Sequence, residues 1–498
     1  MPSTPRSPQL TRPSRTAPHR LLSTLARCCV PLALSGLACI GGTELSGKTA
    51  RQEQIAEADT ADPAPEALPT NWQPVRDPAW GEPPSNRSTE NLFVQLLGKT
   101  QAEVDAKLTQ AVHRFFGIDT DEPNALVRDT GYRLYYELPQ DPSMAFIWAA
   151  DSNDVRSEGM SYGMMLAVQM GLREQFDRLW KFARTYMQYP SDSSHSAWRY
   201  YFRWQGNVRA DDAAQWAVKF GPDTTPAPDG EEYFAAALYL ADRRWGSAGE
   251  VAYRSEAAKL TWAMLHNRPH REGRFPLIHR QANMVVFVPY QSSNEHSDPS
   301  YHLPAFYELF AEYGPGDDAG RWREIARKSR DFLVQSAHPS TGLHPDYALF
   351  NGTPTQGYVA SRHDEFYYDA WRVPMNMALD QAWFQADTRM KAQVEKYHAF
   401  FGRHMGEHNV SNALFAIDGS KPTGGGSTAL TATLASGALV SSAPNRKAFV
   451  ENLWHVAQQS GQWRYYQECV YLLGLLATAG RYQYDFAPAA APAASPGK

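Results

Sequence analysis

The sequence predicts an all-α protein, a closed toroid of about twelve helices, and three observations support this fold class. Apolar residues recur at helical spacing along most of the chain, as in Phe176, Leu179 and Trp180. Strand candidates are few: 284–288 is the best and 133–137 is weaker. Helical segments come in consecutive pairs separated by long loops rich in Gly, Pro, Asp and aromatic residues. Helices paired in this way can close into six inner and six outer members, and an open helical array is the structural alternative.

Each predicted helix starts where an apolar periodic segment follows a loop. The twelve starts lie near Asn91, Ser157, Glu174, Gly230, Glu250, Tyr301, Ala319, Trp371, Thr388, Ser427, Arg446 and Trp463.

Composition limits the function classes. The chain has 498 residues, a formal net charge of -5 and 43% hydrophobic residues, enough for a large buried core. There is no basic excess, so nucleic acid is not an expected partner. Aromatic residues make up 12% of the chain, and rings with a polar handle suit a site that stacks on sugar or base faces, although most of these residues are expected in the core. We expect a monomer.

The two ends of the chain differ from the middle. Arginines precede a largely apolar run in residues 1–40, which is typical of a signal peptide and predicts export. Cys39 after small residues also fits a bacterial lipoprotein signal, so a lipid anchor through Cys39 and free secretion both stay open. Residues 41–88 form a polar, Pro/Ala-rich predicted linker, and 486–498 a low-complexity predicted disordered tail. The predicted catalytic domain is 89–485.

Glu158 is the first candidate catalytic residue. It lies among small and aromatic residues at 157–165, where an ordinary surface helix carries several charges. Ser157 is a favoured N-cap residue and an apolar run follows, so we expect Glu158 in a first helical turn. That position favours the ionised form, so a catalytic acid here needs burial or a second carboxylate to raise its pKa. The alternative is that Glu158 only stabilises the helix N-terminus.

Three further carboxylates lie where loops meet helices. Asp229 occupies a predicted N-cap, and capping alone is an alternative role. Asp369 lies just before a helix among aromatic residues, where it is poorly solvated unless Arg372 or a ligand pairs with it. Asp298 is expected to be a cap, while the nearby Tyr301 is a candidate for the cleft.

Two catalytic motifs match by spacing alone. Residues 42–49 fit the Walker A pattern, but the apolar run before them is the export signal and no strand-helix alternation follows. Residues 159–163 fit the nucleophile elbow, which requires a buried strand immediately before it. Residues 151–156 are polar and predict a loop, so Ser161 is expected to be a packing or hydrogen-bonding residue. No metal-ligand spacing is recognised, and we expect no metal and no cofactor.

Four segments, in their order and spacing, resemble glycoside hydrolase family 8: 157–165, 227–230, 298–304 and 368–373. The likeness runs from about 91 to 484 and is nearest to the branch of reducing-end xylose-releasing exo-oligoxylanases. The resemblance implies an (α/α)6 barrel and an inverting hydrolase of β-1,4-linked chains that uses no metal.

The resemblance also implies roles for individual residues. Glu158 matches the family's general acid, Asp369 the base that activates water, and Asp229 the carboxylate that holds the sugar at the cleavage point. The expected substrate-binding residues are Tyr301, Arg372, Tyr368 and Trp371. Two carboxylates on opposite sides of the scissile bond can divide the acid and base work.

The expected function is hydrolysis of β-1,4-xylosidic bonds, either in xylo-oligosaccharides with release of xylose from the reducing end, or in xylan. Exo-acting members close the product side of the cleft with a loop that falls near 421–427 here, where three glycines provide no bulky wall. Endo-β-1,4-glucanase or chitosanase activity on the same scaffold is an alternative, because only the binding loops would differ. A surface glycan-binding protein without catalysis is the non-enzyme alternative.

Overall fold

The computed structural model describes residues 68, 87, 89–191, 197–212, 215–221, 224–270, 273–291, 293, 295–357 and 362–486. The predicted signal peptide with Cys39 and the Walker-like segment lie outside the described residues, as do nearly all of the predicted linker and tail. Among the described residues, no helix combines the length and apolarity needed to cross a membrane.

Thirteen α-helices dominate the described part of the chain. They are α1 (Leu92–Leu97), α2 (Gln101–Phe116), α3 (Ser157–Met170), α4 (Arg173–Phe182), α5 (Pro228–Trp245), α6 (Tyr253–His266), α7 (Pro304–Tyr313), α8 (Ala319–Gln335), α9 (Val373–Trp383), α10 (Thr388–Phe401), α11 (Thr428–Gly437), α12 (Arg446–His455) and α13 (Arg464–Thr478).

Six of these helices form a closed inner ring. The helices α3, α5, α7, α9, α11 and α13 contact one another in that order, and α13 returns to α3. Each inner helix packs against one outer helix: α4, α6, α8, α10, α12 and α2, respectively. All 10 residues of α11 are buried, whereas the outer α4 buries one face that includes Phe176, Leu179 and Trp180. The predicted (α/α)6 barrel is therefore confirmed, and the open array is wrong.

The helix predicted to start near Asn91 is two helices in the structure. Asn91 caps α1, and its side chain accepts a hydrogen bond from the backbone N–H of Val94. Gly98 then ends α1 with φ 68, a left-handed conformation that glycine adopts without steric cost. Thr100 and Glu103 form a capping box that starts α2. The other eleven predicted starts lie within about one helical turn of the observed ones.

The strands were under-predicted. Strands β1 to β5 form an antiparallel sheet in sequence order, and four more strands make two small pairs. They are β1 (Tyr135–Leu138), β2 (Asp141–Ala149), β3 (Asp154–Arg156), β4 (Gln205–Asp212), β5 (Gln215–Phe220), β6 (Ile278–His279), β7 (Met284–Val285), β8 (His296–Ser297) and β9 (Ala348–Leu349). Both predicted strand segments do contain a strand. The sheet was missed because β2 has six consecutive buried residues instead of an alternating pattern.

Cys469 is buried in α13 as a free thiol, where it packs as a small residue of the core.

Candidate active site

Four carboxylates meet at the N-terminal ends of inner helices. Glu158 and Asp229 are each the second residue of their helix, α3 and α5. Asp298 caps a short 3₁₀ turn before α7, and its Oδ1 accepts a hydrogen bond from the backbone N–H of Ser300 at 2.6 Å. Asp369 starts a second 3₁₀ turn that runs into α9. The positive end of each helix dipole favours a negative side chain at these positions.

The first turns of α3 and α5 approach each other closely. A Cβ atom added to Gly230 would lie 2.6 Å from the Cβ of Ser157, so a side chain at 230 would force the two turns apart. This contact brings the turn carrying Glu158 next to the turn carrying Asp229.

Ser157 and Asp229 were predicted as N-caps, and both predictions are wrong. The helices begin at Ser157 and Pro228, so Arg156 and Ala227 are the cap positions. Pairing of β3 with β4 carries an extended backbone directly into α3, and the N–H of Ser157 donates to the carbonyl of Trp204 at 2.9 Å. A side-chain cap is not needed for that N–H.

Arg372 joins the four carboxylates. Its Nη1 donates to Oε2 of Glu158 at 3.1 Å and to Oδ2 of Asp229 at 2.9 Å. Its Nη2 donates to Oδ2 of Asp298 at 3.3 Å and to Oδ1 of Asp369 at 3.2 Å. A guanidinium with several fixed donors suits this task, because it holds each carboxylate in a defined direction. Glu158 and Asp229 thus share one terminal nitrogen, and Asp298 and Asp369 share the other.

Exposure separates the four carboxylates. The side chain of Asp369 is 29% exposed and that of Glu158 is 16% exposed, whereas Asp229 is 4% and Asp298 is 0% exposed. Asp369 is therefore the carboxylate of this cluster that water reaches most easily. Asp298 is closed off and can act only on its protein neighbours.

Burial raises the pKa values of the enclosed carboxyl groups. The pKa of Asp229 rises to about 7, mainly because of burial, while Arg372 opposes the shift and the charge of Glu158 adds to it. Burial also raises the pKa of Glu158, with Arg372 and Arg156 opposing and the charge of Asp369 adding to the effect. One buried guanidinium therefore faces four carboxyl groups that do not all ionise near neutral pH.

Two tyrosines that sequence reasoning missed complete the surroundings of Glu158. Tyr465 is the second residue of α13 and donates its hydroxyl to Oε1 of Glu158 at 3.0 Å. The Tyr162 hydroxyl accepts a hydrogen bond from Nη1 of Arg372 at 3.0 Å. The position of Tyr465 at the start of an inner helix is a usable signal, since all four carboxylates of the site occupy equivalent helix ends.

The predicted aromatic residues fall into different environments. Tyr301 is buried with its ring centroid 5.5 Å from the guanidinium carbon of Arg372. Tyr368 is 45% exposed, and its ring contacts that of Trp371 at 5.0 Å. Trp371 itself is only 2% exposed and donates its Nε1–H to the carbonyl of Ala413 at 2.8 Å. Tyr368 can therefore offer a face to a ligand, whereas Trp371 lies beneath it as a support.

One group among the described residues has the composition of a metal site. Asp346, His363 and Asp369 each place a ligand atom within 4.8 Å of the others. The Nδ1 of His363 lies 3.2 Å from Oδ2 of Asp346. Sequence reasoning did not find this group, because Asp346 lies in a separate loop from the other two residues.

The nucleophile-elbow spacing has no catalytic geometry behind it. Ser161 lies inside α3, is fully buried, and donates its hydroxyl to the carbonyl of Glu158 at 2.9 Å. Residues 151–156 were predicted to form a loop, and this prediction is partly wrong, since 154–156 form strand β3. That strand belongs to an antiparallel sheet, and Ser161 follows it by a full helical turn instead of sitting in a strained turn.

Hydrolysis of a glycosidic bond requires two carboxyl groups, one that protonates the leaving oxygen and one that activates water or attacks the sugar. Separately placed carboxylates occur here next to the exposed ring of Tyr368. They define the class of this protein as a glycoside hydrolase. The family model described as "Glycosyl hydrolases family 8" matches residues 147–480, and the chain belongs to that family.

Similar proteins agree with this assignment. The reducing-end xylose-releasing exo-oligoxylanase Rex8A of Paenibacillus barcinonensis is 37% identical over 400 residues, 79% of this chain and 96% of that protein. The reducing end xylose-releasing exo-oligoxylanase of Halalkalibacterium halodurans is 35% identical over 80% of this chain and 95% of that protein. A family 8 xylanase of Teredinibacter turnerae, solved as a catalytic mutant with xylohexaose, is 36% identical with a TM-score of 0.70, covering 80% of this chain and 97% of that one.

Proposed function

We propose that the protein hydrolyses β-1,4-xylosidic bonds of xylo-oligosaccharides or xylan with inversion at the anomeric carbon. The observation that carries the proposal is the single guanidinium of Arg372, which bonds to Glu158 through one terminal nitrogen and to Asp369 through the other. This arrangement provides two carboxylates in fixed directions and different environments.

Glu158 acts as the general acid in this proposal. Burial raises its pKa, so it keeps a proton at a pH where an exposed glutamate has lost it. The hydroxyl of Tyr465 donates a hydrogen bond to Oε1 of Glu158, so that Oε2 is the oxygen that faces Arg372 at the centre of the cluster. Glu158 then gives its proton to the glycosidic oxygen as the bond to the anomeric carbon breaks.

Asp369 acts as the general base. Its exposure of 29% admits a water molecule, and the contact of its Oδ1 with Nη2 of Arg372 at 3.2 Å fixes the direction of the carboxylate. The water attacks the anomeric carbon and its proton passes to Asp369. Asp229, held at 2.9 Å from Nη1, binds the sugar at the cleavage point together with Tyr301 and Arg372. Tyr368 supplies an exposed ring for a neighbouring sugar.

The substrate follows from the relatives whose names state xylose release or xylanase activity. Release of single xylose units from the reducing end requires a closed product side. Residues 424–426 are exposed glycines in this chain, which favours a second candidate, internal cleavage of longer chains. We also propose that the protein is exported, on the basis of the apolar segment near its N-terminus, with lipid attachment at Cys39 as a finer alternative.

Product analysis tests the proposal. The purified protein is incubated with xylohexaose, xylan, carboxymethyl cellulose and chitosan, and the products are followed over time. Early xylose from xylohexaose indicates terminal release, whereas early xylotriose and xylobiose indicate internal cleavage. Products from cellulose or chitosan alone would reject the xylan assignment, and binding without products from any substrate would favour a glycan-binding protein.

Proton NMR of the first minutes of hydrolysis tests the stereochemistry. Direct attack by water on a β-linked chain gives the α-anomer first, because no covalent intermediate forms. Appearance of the β-anomer first would overturn the roles of both Glu158 and Asp369.

A further inference from the structure

The segment that carries Asp369 is bonded to a buried carboxylate, Asp346, that the proposed mechanism does not use. Oδ1 of Asp346 accepts the backbone N–H of Ala370, the residue after Asp369, at 3.0 Å. Oδ2 of Asp346 lies 3.2 Å from Nδ1 of His363. The side chain of Asp346 is 1% exposed and that of His363 is 13% exposed. Asp346 therefore touches the backbone of the base segment and has no route of its own to a substrate.

The His363 ring is fixed on two sides. It stacks on Tyr347 with ring centroids 4.1 Å apart and an interplanar angle of 21°. The N–H of Tyr347 donates to the carbonyl of His363 at 2.8 Å, and that of Asp346 donates to the carbonyl of Glu365 at 3.0 Å. These backbone bonds join the two loops, so Asp346 and His363 keep one geometry relative to each other.

A buried carboxylate next to a catalytic carboxylate is costly unless it does something that an apolar residue cannot do. Its charge and that of Asp369 repel each other, and ligand atoms of Asp346, His363 and Asp369 lie within 4.8 Å of one another. An apolar side chain at 346 would avoid the repulsion but would leave the N–H of Ala370 without its acceptor.

We propose that Asp346 and His363 form a positioning pair for Asp369, in which Asp346 fixes the backbone after the base and His363 fixes the orientation of Asp346. The proposal rests on the function proposed above. Neither residue touches substrate; both act by holding the base carboxylate where the attacking water is bound. Misplacement of a catalytic group by about 1 Å costs about 10²-fold in rate.

The test uses three variants in the full chain. Asp346→Asn keeps an oxygen for the N–H of Ala370 but changes the contact with His363. His363→Phe keeps a ring that can stack on Tyr347 and removes both nitrogens. The double variant combines them, and Asp364→Asn is the matched control because Asp364 bonds to Gln356 instead of the base segment.

We expect each single variant to lower kcat on xylohexaose by about 10²-fold with KM nearly unchanged, and the double variant to lose little more than either one, because both act through the same contact. The control keeps the wild-type kcat. Wild-type kcat in either folded single variant would overturn the proposal, as would losses that multiply in the double variant. If Asp346→Asn does not fold, His363→Phe alone decides by the same split between kcat and KM.

A failure of the proposed function gives a different result. In that case Asp369→Asn retains activity, whatever the behaviour of the positioning pair.

Discussion

Replacement of Arg372 by Met tests whether one guanidinium holds the carboxyl cluster together. The change removes donors to Glu158, Asp229, Asp298 and Asp369 while keeping a side chain of similar length. Loss of one partner of a buried ion pair costs about 3–5 kcal/mol, because an uncompensated charge stays buried. For a domain of about 400 residues, this corresponds to a fall in melting temperature of about 4–6 °C.

The effect depends on pH in a direction that the pKa shifts determine. The pKa of Asp229 in the folded protein is about 7, above its ordinary value of 3.8. Stability from such a group is fully present below its unfolded pKa and is lost as pH rises through the folded pKa. Without Arg372 the folded pKa values of Asp229 and Glu158 rise further, because its charge opposes the upward shift in both. The variant should therefore be close to wild type at pH 4 and most destabilised at pH 8.

Thermal unfolding at pH 4, 6 and 8 with one scan rate measures this difference. Arg464→Met is the matched control, because Arg464 is equally buried but donates to backbone carbonyls, including those of Arg133 and Gly461. Its loss of stability should vary little with pH. An equal loss at pH 4 and pH 8 for Arg372→Met would refute the electrostatic reasoning.

Two further predictions concern the proposed catalytic carboxyl groups. Glu158→Gln and Asp369→Asn should each lower kcat by at least about 10²-fold, because acid and base act mainly in the transition state. The affinity for xylohexaose, measured by calorimetry, should change little. Wild-type rates in either variant would reject the assignment. Asp229→Asn should lose activity and move the basic limb of the kcat profile to lower pH. Glu158 and Asp229 bond to the same Nη1 of Arg372, so loss of one carboxylate leaves that nitrogen to stabilise the ionised form of the other. An unmoved limb would leave Asp229 as a sugar-binding residue only.

The ring of helices was predictable from sequence because it depends on local patterns. A helix that buries one side shows apolar residues at regular spacing, and α4 displays this in Phe176, Leu179 and Trp180. The pairing of consecutive helical segments predicted six inner and six outer helices, but it did not show which helix belongs to which ring. The sheet was not predictable in the same way, because β3 is only 3 residues long and polar in sequence.

The site was predictable where its residues lie in continuous motifs and not where they meet through space. Glu158, Asp229 and Asp369 each stand in a short recognisable segment. Asp298 bonds to Arg372, which lies 74 positions away in the sequence. Asp346 bonds to the backbone N–H of Ala370, which lies 24 positions away. No spacing rule connects such pairs, because the barrel topology decides which loops become neighbours.

The protonation state of the site is likewise a property of the assembly. In sequence, Glu158 at a helix N-terminus should be ionised, since the helix dipole stabilises a negative charge there. In the structure, burial outweighs the combined effects of the helix dipole, Arg372 and Arg156, all of which favour the ionised form. The pKa of Glu158 is therefore raised. The dipole contributes about 0.3–1 kcal/mol, whereas burial of a carboxyl group shifts its pKa by up to about 3–5 units, each worth about 1.4 kcal/mol. The pKa of a residue placed where a charge is locally favoured is thus raised because the barrel buries its carboxyl group.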